Sequence, residues 1–405
     1  MGSARRAGEP GLMRLPPGTR DWLPAELRRK RAVERVLRSV FARWAYAEVQ
    51  TPNFERFDAL EAGLGERLAQ QTFLFADKSG TQIALRPEMT TPVARLVATR
   101  MREAPLPLRL SYVVPAYRYE DPQEGRMREF TTAGIELIGP QSLNADAESL
   151  FTAIEALDAL GLGDTLFDIN HAAIVDGVLA GLELNAAAIA QAKHLISGRN
   201  IVALREHLAG TGSAHAVEEI VRLALLRGGR DVLETLRRLC HTTAGLAGIE
   251  RLSDILARAN ELGFGSRVNV DFALLRDIEY YTGFIFEGFA REVGFALCGG
   301  GRYDTVLPRF GFDVGAVGWS LSVERLLITL ERRHSPQFGA EPAIDVLVSG
   351  SDVVAARERA AGRTVRIDFE RRSEDELLAE ARLQKIPRVI IATTPGDVRE
   401  LQVAW

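Results

Sequence analysis

An α+β fold with a helical insertion and a small α/β unit near its C-terminal end is what this chain of 405 residues predicts. Three observations point there. Two long alternating stretches, Leu108 to Tyr119 and Thr131 to Ile138, read as strands joined by a polar loop, and strand character returns between residues 267 and 297. Between them, Asn185 to about Leu262 is rich in Ala and Leu at helical spacing. From residue 343 onward, strand and helix patterns alternate.

Each element has a local reason. Leu27 to Ala47 reads as a helix because Val33, Val36, Leu37, Val40, Phe41 and Trp44 fall on one face. Glu48 to Thr51 follows as a strand stopped by Pro52, and Thr81 to Leu85 as a strand ending in Arg86-Pro87-Glu88. Asn144 to Leu160 is a helix with Asn144 as its N-cap and Gly161 at its stop. The insertion is punctuated by Gly210, Gly212, Gly228 and Gly229. Strands are expected at Arg267–Phe272, Tyr280–Phe289 and Phe295–Leu297. A glycine cluster, Gly299-Gly300-Gly301, and a closing helix, Trp319–Arg332, come next. The final unit runs strand Asp345–Val348, helix Val353–Ala360, strand Thr364–Phe369, helix Ser373–Gln384, strand Arg388–Ala392 and strand Val398–Val403. The domains are therefore a flexible tail at 1–14, a core at 15–332 with an insertion at about 185–262, a linker at 333–342, and a small unit at 343–405.

Bulk properties narrow the class. The length exceeds one ordinary core. A hydrophobic share of 46% with 26% charged residues belongs to a soluble globular protein. A net charge of −4 gives no global basic field for nucleic acid. Cys240 and Cys298 have no partner at metal spacing, so reduced thiols, no metal site and no cofactor are expected. No signal peptide and no run of about 18 apolar residues is present, so the reading is cytoplasmic, with no membrane partner.

The chemistry concentrates in Tyr117 to Gly139, YRYEDPQEGRMREFTTAGIELIG. Arg118 and Glu120 share one face of the first strand, Glu136 lies on the second, and the joining loop, Asp121 to Arg128, carries Arg126 and Arg128. A sheet floor with an inward Arg and a facing Glu can hold a small zwitterion or a nucleotide phosphate, because Arg offers a planar fork of donors. Solvated charges on a surface hairpin would leave the same pattern.

Five stretches in order decide between these. PPGTRDWLP (Pro16–Pro24), LRPEMTTPVAR (Leu85–Arg95), YRYEDPQEGRMREF, LLRDIEYYTGFIFE (Leu274–Glu287), and GGRYD (Gly300–Asp304) with AVGWSLSVERL (Ala316–Leu326) resemble class II aminoacyl-tRNA synthetases of the histidyl branch. The resemblance implies a six-stranded antiparallel sheet flanked by helices, with the first stretch forming a homodimer. It implies that Glu88, Thr90, Arg118, Thr132, Glu136, Arg276, Tyr280 and Tyr281 hold histidine, and that Arg126 and Arg325 line a nucleotide site. Tyr280 and Tyr281 could equally pack the core, and Arg325 could be a structural ion pair.

Four departures separate the chain from a working synthetase. Thr131-Thr132 stands where the catalytic branch writes His-Gln. Asp277 stands where it has a Gly beside the reacting phosphate, and Ser322 where a Gly lets backbone approach the adenosine. The end unit reads as a truncated anticodon-binding-like α/β domain, acidic at Glu374, Asp375, Glu376 and Glu380, so tRNA is not expected as a partner. RPEMTTPVAR and DINHAAIVDGVL (Asp168–Leu179) resemble instead the regulatory subunits of ATP phosphoribosyltransferase, a paralogous family. That resemblance implies no catalysis of its own, a short-form catalytic subunit as partner, a homodimer within a hetero-oligomer, and L-histidine as effector. The nucleotide site would then be vestigial, and His171 would have no catalytic role. A histidine–tRNA ligase, which the retained Arg118, Arg276 and Arg325 would serve, is the alternative, followed by a paralogue with another partner.

Overall fold

The computed structural model describes residues 14–275, 281–335, 343–394 and 397–404. The chain divides into two compact units at residues 338 and 339. In the first unit the strands are β1 (Ala47–Glu48), β2 (Phe54–Arg56), β3 (Leu74–Ala76), β4 (Gln82–Leu85), β5 (Leu108–Tyr117), β6 (Glu129–Gly139), β7 (Leu166–His171), β8 (Arg227–Gly228), β9 (Val268–Asp271), β10 (Phe284–Phe289), β11 (Ala296–Arg302) and β12 (Gly315–Ser322). Nine of them form one sheet in the order β1-β5-β6-β12-β11-β10-β7-β9-β8, while β2, β4 and β3 make a separate sheet. The six strands from β5 to β7 in that order are antiparallel throughout. Short parallel strands, β1 beside β5 and β9 beside β7, extend the two edges.

Side-chain alternation gives this sheet two different faces. Val113, Ala133, Ile135, Leu137, Val317 and Trp319 point into the larger core with the helices Pro24–Arg43, Leu143–Ala159 and Thr243–Glu261. Leu108, Leu110, Tyr112, Val114, Ile138 and Ala316 point the other way. There they meet Met89, Val93, Ala94 and Val97, from the start and length of the helix Thr90–Arg100.

Buried charge fixes the helices to the sheet. Arg302 at the end of β11 and Arg251 of the helix Thr243–Glu261 both pair with Asp146, a wholly buried residue of Leu143–Ala159. Desolvation on that scale is offset only by close, hydrogen-bonded pairing, so losing one partner is costly.

Several elements differ from the sequence reading. Helix Leu143–Ala159 is capped at Ser142, and the Asn144 side chain instead accepts from Arg258 at 2.6 Å. The glycine cluster lies within β11 rather than after it, because β11 and β12 approach closely. A Cβ on Gly300 would stand 2.3 Å from the Gly318 carbonyl oxygen. Trp319 belongs to β12, and the closing helix begins only at Val323. Gly228 is part of β8, which ties the insertion to the sheet edge through β9. The first long strand stops at Tyr117, so Glu120 has already left it.

The second unit contains β13 (Val346–Ser349), β14 (Val365–Asp368), β15 (Arg388–Thr394) and β16 (Asp397–Gln402), in the order β14-β13-β15-β16. Helices Asp352–Ala360 and Glu374–Leu383 connect its parallel strands. Ser373 and Glu376 form a capping box at the second helix.

Candidate functional site

Small residues keep one face of the large sheet open. Across it, Tyr112, Gly134, Ser320, Gly299 and Glu287 stand in register on β5, β6, β12, β11 and β10. In the neighbouring row, Glu136 of β6 faces Gly318 of β12, which in turn faces Gly301 of β11. A Cβ on Gly318 would lie 2.0 Å from Glu136 Oε2, and one on Gly301 would lie 2.9 Å from the Tyr281 ring. These glycines provide space for side chains from adjacent strands.

Two cavities open over this floor. The first is lined by Leu68, Glu88, Thr90, Tyr112, Arg118 and Tyr281, together with Tyr303 and Ser320. Three of its lining residues, Thr90, Tyr112 and Tyr303, bond to Glu136, which is only 1% exposed and is not itself among the lining residues. Thr90 Oγ1 donates to Glu136 Oε1 at 3.0 Å and the Tyr112 hydroxyl donates to the same oxygen at 3.1 Å. The Tyr303 hydroxyl donates to Oε2. Burial pushes the Glu136 carboxyl up to about 8, the Tyr303 hydrogen bond opposes this, and the nearby Glu88 charge adds to it.

Glu88 sits differently. Its carboxylate accepts the backbone N–H groups of Thr90 at 2.5 Å and Thr91 at 2.9 Å, at the start of the helix Thr90–Arg100. Burial raises its pKa, while those hydrogen bonds pull the other way. Arg118 is anchored beside it, its Nε donating to the Pro87 carbonyl at 2.8 Å and its guanidinium over the Phe130 ring. The cavity thus offers a cation and a carboxylate together, and behind its Thr90, Tyr112 and Tyr303 lining lies a second, buried carboxylate.

The second cavity adjoins the first through Arg118, Gly299 and Ser320, and adds Glu120, Arg126, Thr132, Glu287, Ser322 and Arg325. Arg325 donates to the carbonyls of Gly125 at 2.9 Å and Ala296 at 2.8 Å and lies over Phe295. Burial and the positive charges of Arg118 and Arg126 lower its pKa. Ser322 caps the helix Val323–Arg332, its hydroxyl accepting Arg325 N–H at 3.4 Å and donating to Glu324 Oε2 at 3.2 Å. Glu324 Oε2 also accepts the Thr131 N–H at 2.8 Å, and Glu324 Oε1 accepts from Lys30.

Of the residues expected to hold histidine, Glu88, Thr90, Arg118 and Tyr281 line the first cavity, Glu136 is buried behind it and bonded to Thr90, and Thr132 lines the second. Arg276 and Tyr280, and with them Asp277, lie outside the described residues. Sequence reasoning missed Tyr112 and Tyr303. Tyr303 falls within the GGRYD stretch already singled out, and Tyr112 lies on the even face of β5, two positions from the residue paired with Glu136. It also missed Arg86, fully buried and donating to Pro115, Thr51, Pro52 and Asn53. Arg86 holds the chain where β5 passes the segment after β1. His171 caps the helix Ala172–Leu179 by accepting the Ala173 N–H at 3.3 Å.

The histidyl-tRNA synthetase family model matches residues 18–326. An ATP phosphoribosyltransferase regulatory subunit of Moorella thermoacetica is 39% identical over 379 residues, covering 91% of this chain and 95% of that protein. The chain belongs to the family of ATP phosphoribosyltransferase regulatory subunits. The corresponding subunit of Geobacter sulfurreducens is 34% identical and is covered over 92% of its length. Among solved structures, an ATP phosphoribosyltransferase regulatory subunit/histidyl-tRNA synthetase from Bacillus halodurans superposes with a TM-score of 0.82. It shows 28% identity and covers 95% of this chain and 100% of that one. The histidyl-tRNA synthetase of Nostoc, 22% identical with a TM-score of 0.77, shares the fold. The regulatory-subunit family thus carries a class II synthetase-like body, and the two cavities occupy the open face of its sheet.

Proposed function

We propose that the chain is a non-catalytic regulatory subunit that relays histidine levels to a short-form ATP phosphoribosyltransferase catalytic subunit at the start of histidine biosynthesis. The observation that carries this reading is the contrast between the two cavities. The first keeps Glu88 with an arginine beside it and hydroxyls of Thr90, Tyr112 and Tyr303 backed by the buried Glu136, which suits an amino acid with a polar ring. The second keeps Arg118, Arg126 and Arg325 but has Thr132 and Ser322 where the synthetase pattern has Gln and Gly. Thr132 is too short to reach an α-ammonium, and Ser322 serves as a helix cap.

In this reading Glu88 takes the ammonium, Arg118 the carboxylate, and Glu136 with Thr90 the ring, with Arg276, Tyr280 and Tyr281 completing the pocket. A ligand shifts an equilibrium only through its different affinity for two states, and the coupling is reciprocal. Histidine therefore binds more tightly to the inhibited state of the complex than to its active state. The names of the related proteins support the catalytic partner. The segment leading into the helix Pro24–Arg43 supports a homodimer within the larger assembly, and the acidic helix Glu374–Leu383 argues against tRNA as a partner.

Histidine-dependent exchange of pyrophosphate into ATP tests the reading against its alternative. The purified chain is expected to bind histidine and to show no exchange. Exchange at the rate of a working ligase would overturn the proposal.

A further inference from the structure

A third cavity, of about 610 Å³, shares Gly125 and Met127 with the second but none of its arginines. Its walls come from residues 20–29, the loop 123–127, the helix Val323–Arg332 and the two residues His334 and Ser335 that follow. Trp22, Met127, Leu327, Ile328 and Leu330 make it largely apolar. Arg20 and Lys30 both lie over the Trp22 ring, at 4.2 and 4.5 Å from its centre, and hold the indole in place. The apolar surface continues outside the cavity. Leu23 and Leu27, one turn apart at the start of the helix Pro24–Arg43, are 64% and 37% exposed and flank Glu26, which lines the cavity. Most of the charges here are already matched: Arg20 pairs with Glu26, Lys30 with Glu324 and Arg332 with Glu124. Arg29 and Glu331 line the cavity and make no ion pair among the described residues.

We propose that the catalytic subunit docks on this cavity with a segment that carries a large apolar side chain, a cation for Glu331 and an anion for Arg29. Trp, Met and Arg around an apolar centre are the make-up of an interface core. The exposed leucines extend that surface beyond what a small ligand would cover. The two unmatched charges, of opposite sign, set the register of the incoming segment. The cavity also touches what a relay has to touch. The Gly125 carbonyl accepts Arg325 Nε at 2.9 Å. Glu324 Oε2 accepts the Thr131 N–H at 2.8 Å, one residue before Thr132 of the second cavity. A partner pressed against Gly125, Met127 and Glu324 thus bears directly on the second cavity, which adjoins the first through Arg118. The inference rests on reading the chain as a regulatory subunit with a catalytic partner.

Titration calorimetry of a short-form catalytic subunit against the full chain tests it, with the wild type, Leu27→Glu, Glu331→Arg and Phe54→Glu. Phe54, 55% exposed on β2 of the separate three-stranded sheet, supplies the comparison surface. Leu27→Glu and Glu331→Arg are each expected to weaken binding at least about tenfold, with the thermal midpoint of the free chain unchanged. Phe54→Glu is expected to leave the affinity at the wild-type level. Hydrogen exchange in the complex is expected to slow at residues 22–30 and 123–127. Wild-type affinity in both Leu27→Glu and Glu331→Arg, or a loss confined to Phe54→Glu, would overturn the inference while leaving the regulatory reading standing. A catalytic subunit that does not bind the wild-type chain would overturn that reading itself.

Discussion

Gly318→Ala isolates the feature on which the pocket depends. Gly318 lies in the middle of β12, opposite Glu136 of β6. The added methyl carbon would stand 2.0 Å from Glu136 Oε2 and 2.4 Å from the Ile135 carbonyl oxygen, over an ångström short of ordinary contact at the first. The carboxylate can swing aside only by losing the Tyr303 hydrogen bond, and the Ile135 carbonyl cannot retreat without opening the sheet. Overpacking of this kind costs about 1–3 kcal/mol, and the displaced hydrogen bond adds about 1 kcal/mol or more. A loss of about 2–4 kcal/mol is therefore expected, read as a lower urea midpoint at unchanged slope. Histidine binding should be lost with it. Gly294→Ala is the control, since its methyl would meet no atom within 4 Å, and it should cost less than about 0.5 kcal/mol. Adding Glu136→Ala to Gly318→Ala should recover part of the loss, because it empties the space the methyl enters while the Ile135 carbonyl stays in place. If Gly318→Ala proved no more costly than Gly294→Ala, the close approach argued for β6 and β12 would be wrong.

Other perturbations separate packing from binding. Arg86→Lys should lower stability by about 2 kcal/mol or more in thermal or urea melts. An ammonium cannot reproduce the fork that reaches Thr51, Pro52, Asn53 and Pro115 at once. Glu136, raised from 4.5 to about 8, binds a proton in the folded state that the unfolded chain has released. Its contribution to stability is thus present at low pH and lost as pH rises through that window. Urea midpoints at the two ends of the window should show the wild type losing stability relative to Glu136→Gln, and a difference that stays flat contradicts the assignment. Ser322→Gly should cost only a few tenths of a kcal/mol, since glycine is a tolerated cap. It should also restore no pyrophosphate exchange, because Thr132 remains.

The sequence carried most of the body. Strands β5 and β6 announced themselves by strict alternation, and the helix Pro24–Arg43 by one apolar stripe, since each buries one face against a single core. Local signals failed where a tertiary contact sets the outcome. The glycines of β11 look like a turn, yet they are there because β12 passes too close for a side chain. Asn144 looks like a cap, yet it is drawn to Arg258 from a distant helix. In the site, the charged residues were legible from their stretches. The hydroxyls of Tyr112 and Tyr303 were not, because their role depends on strand register and on the end of β11 reaching Glu136. Arg86 was read only as part of a turn, because its four partner residues lie up to 35 positions away from it on both sides in sequence.

The account stands most directly on one reconstitution. A short ATP phosphoribosyltransferase catalytic subunit is assayed with and without this chain across a histidine titration, using the wild type and Arg118→Ala. The account predicts that the chain changes the activity of the catalytic subunit, that histidine inhibits the complex, and that Arg118→Ala weakens the inhibition. A catalytic subunit whose activity and histidine response are the same with and without the chain would contradict it.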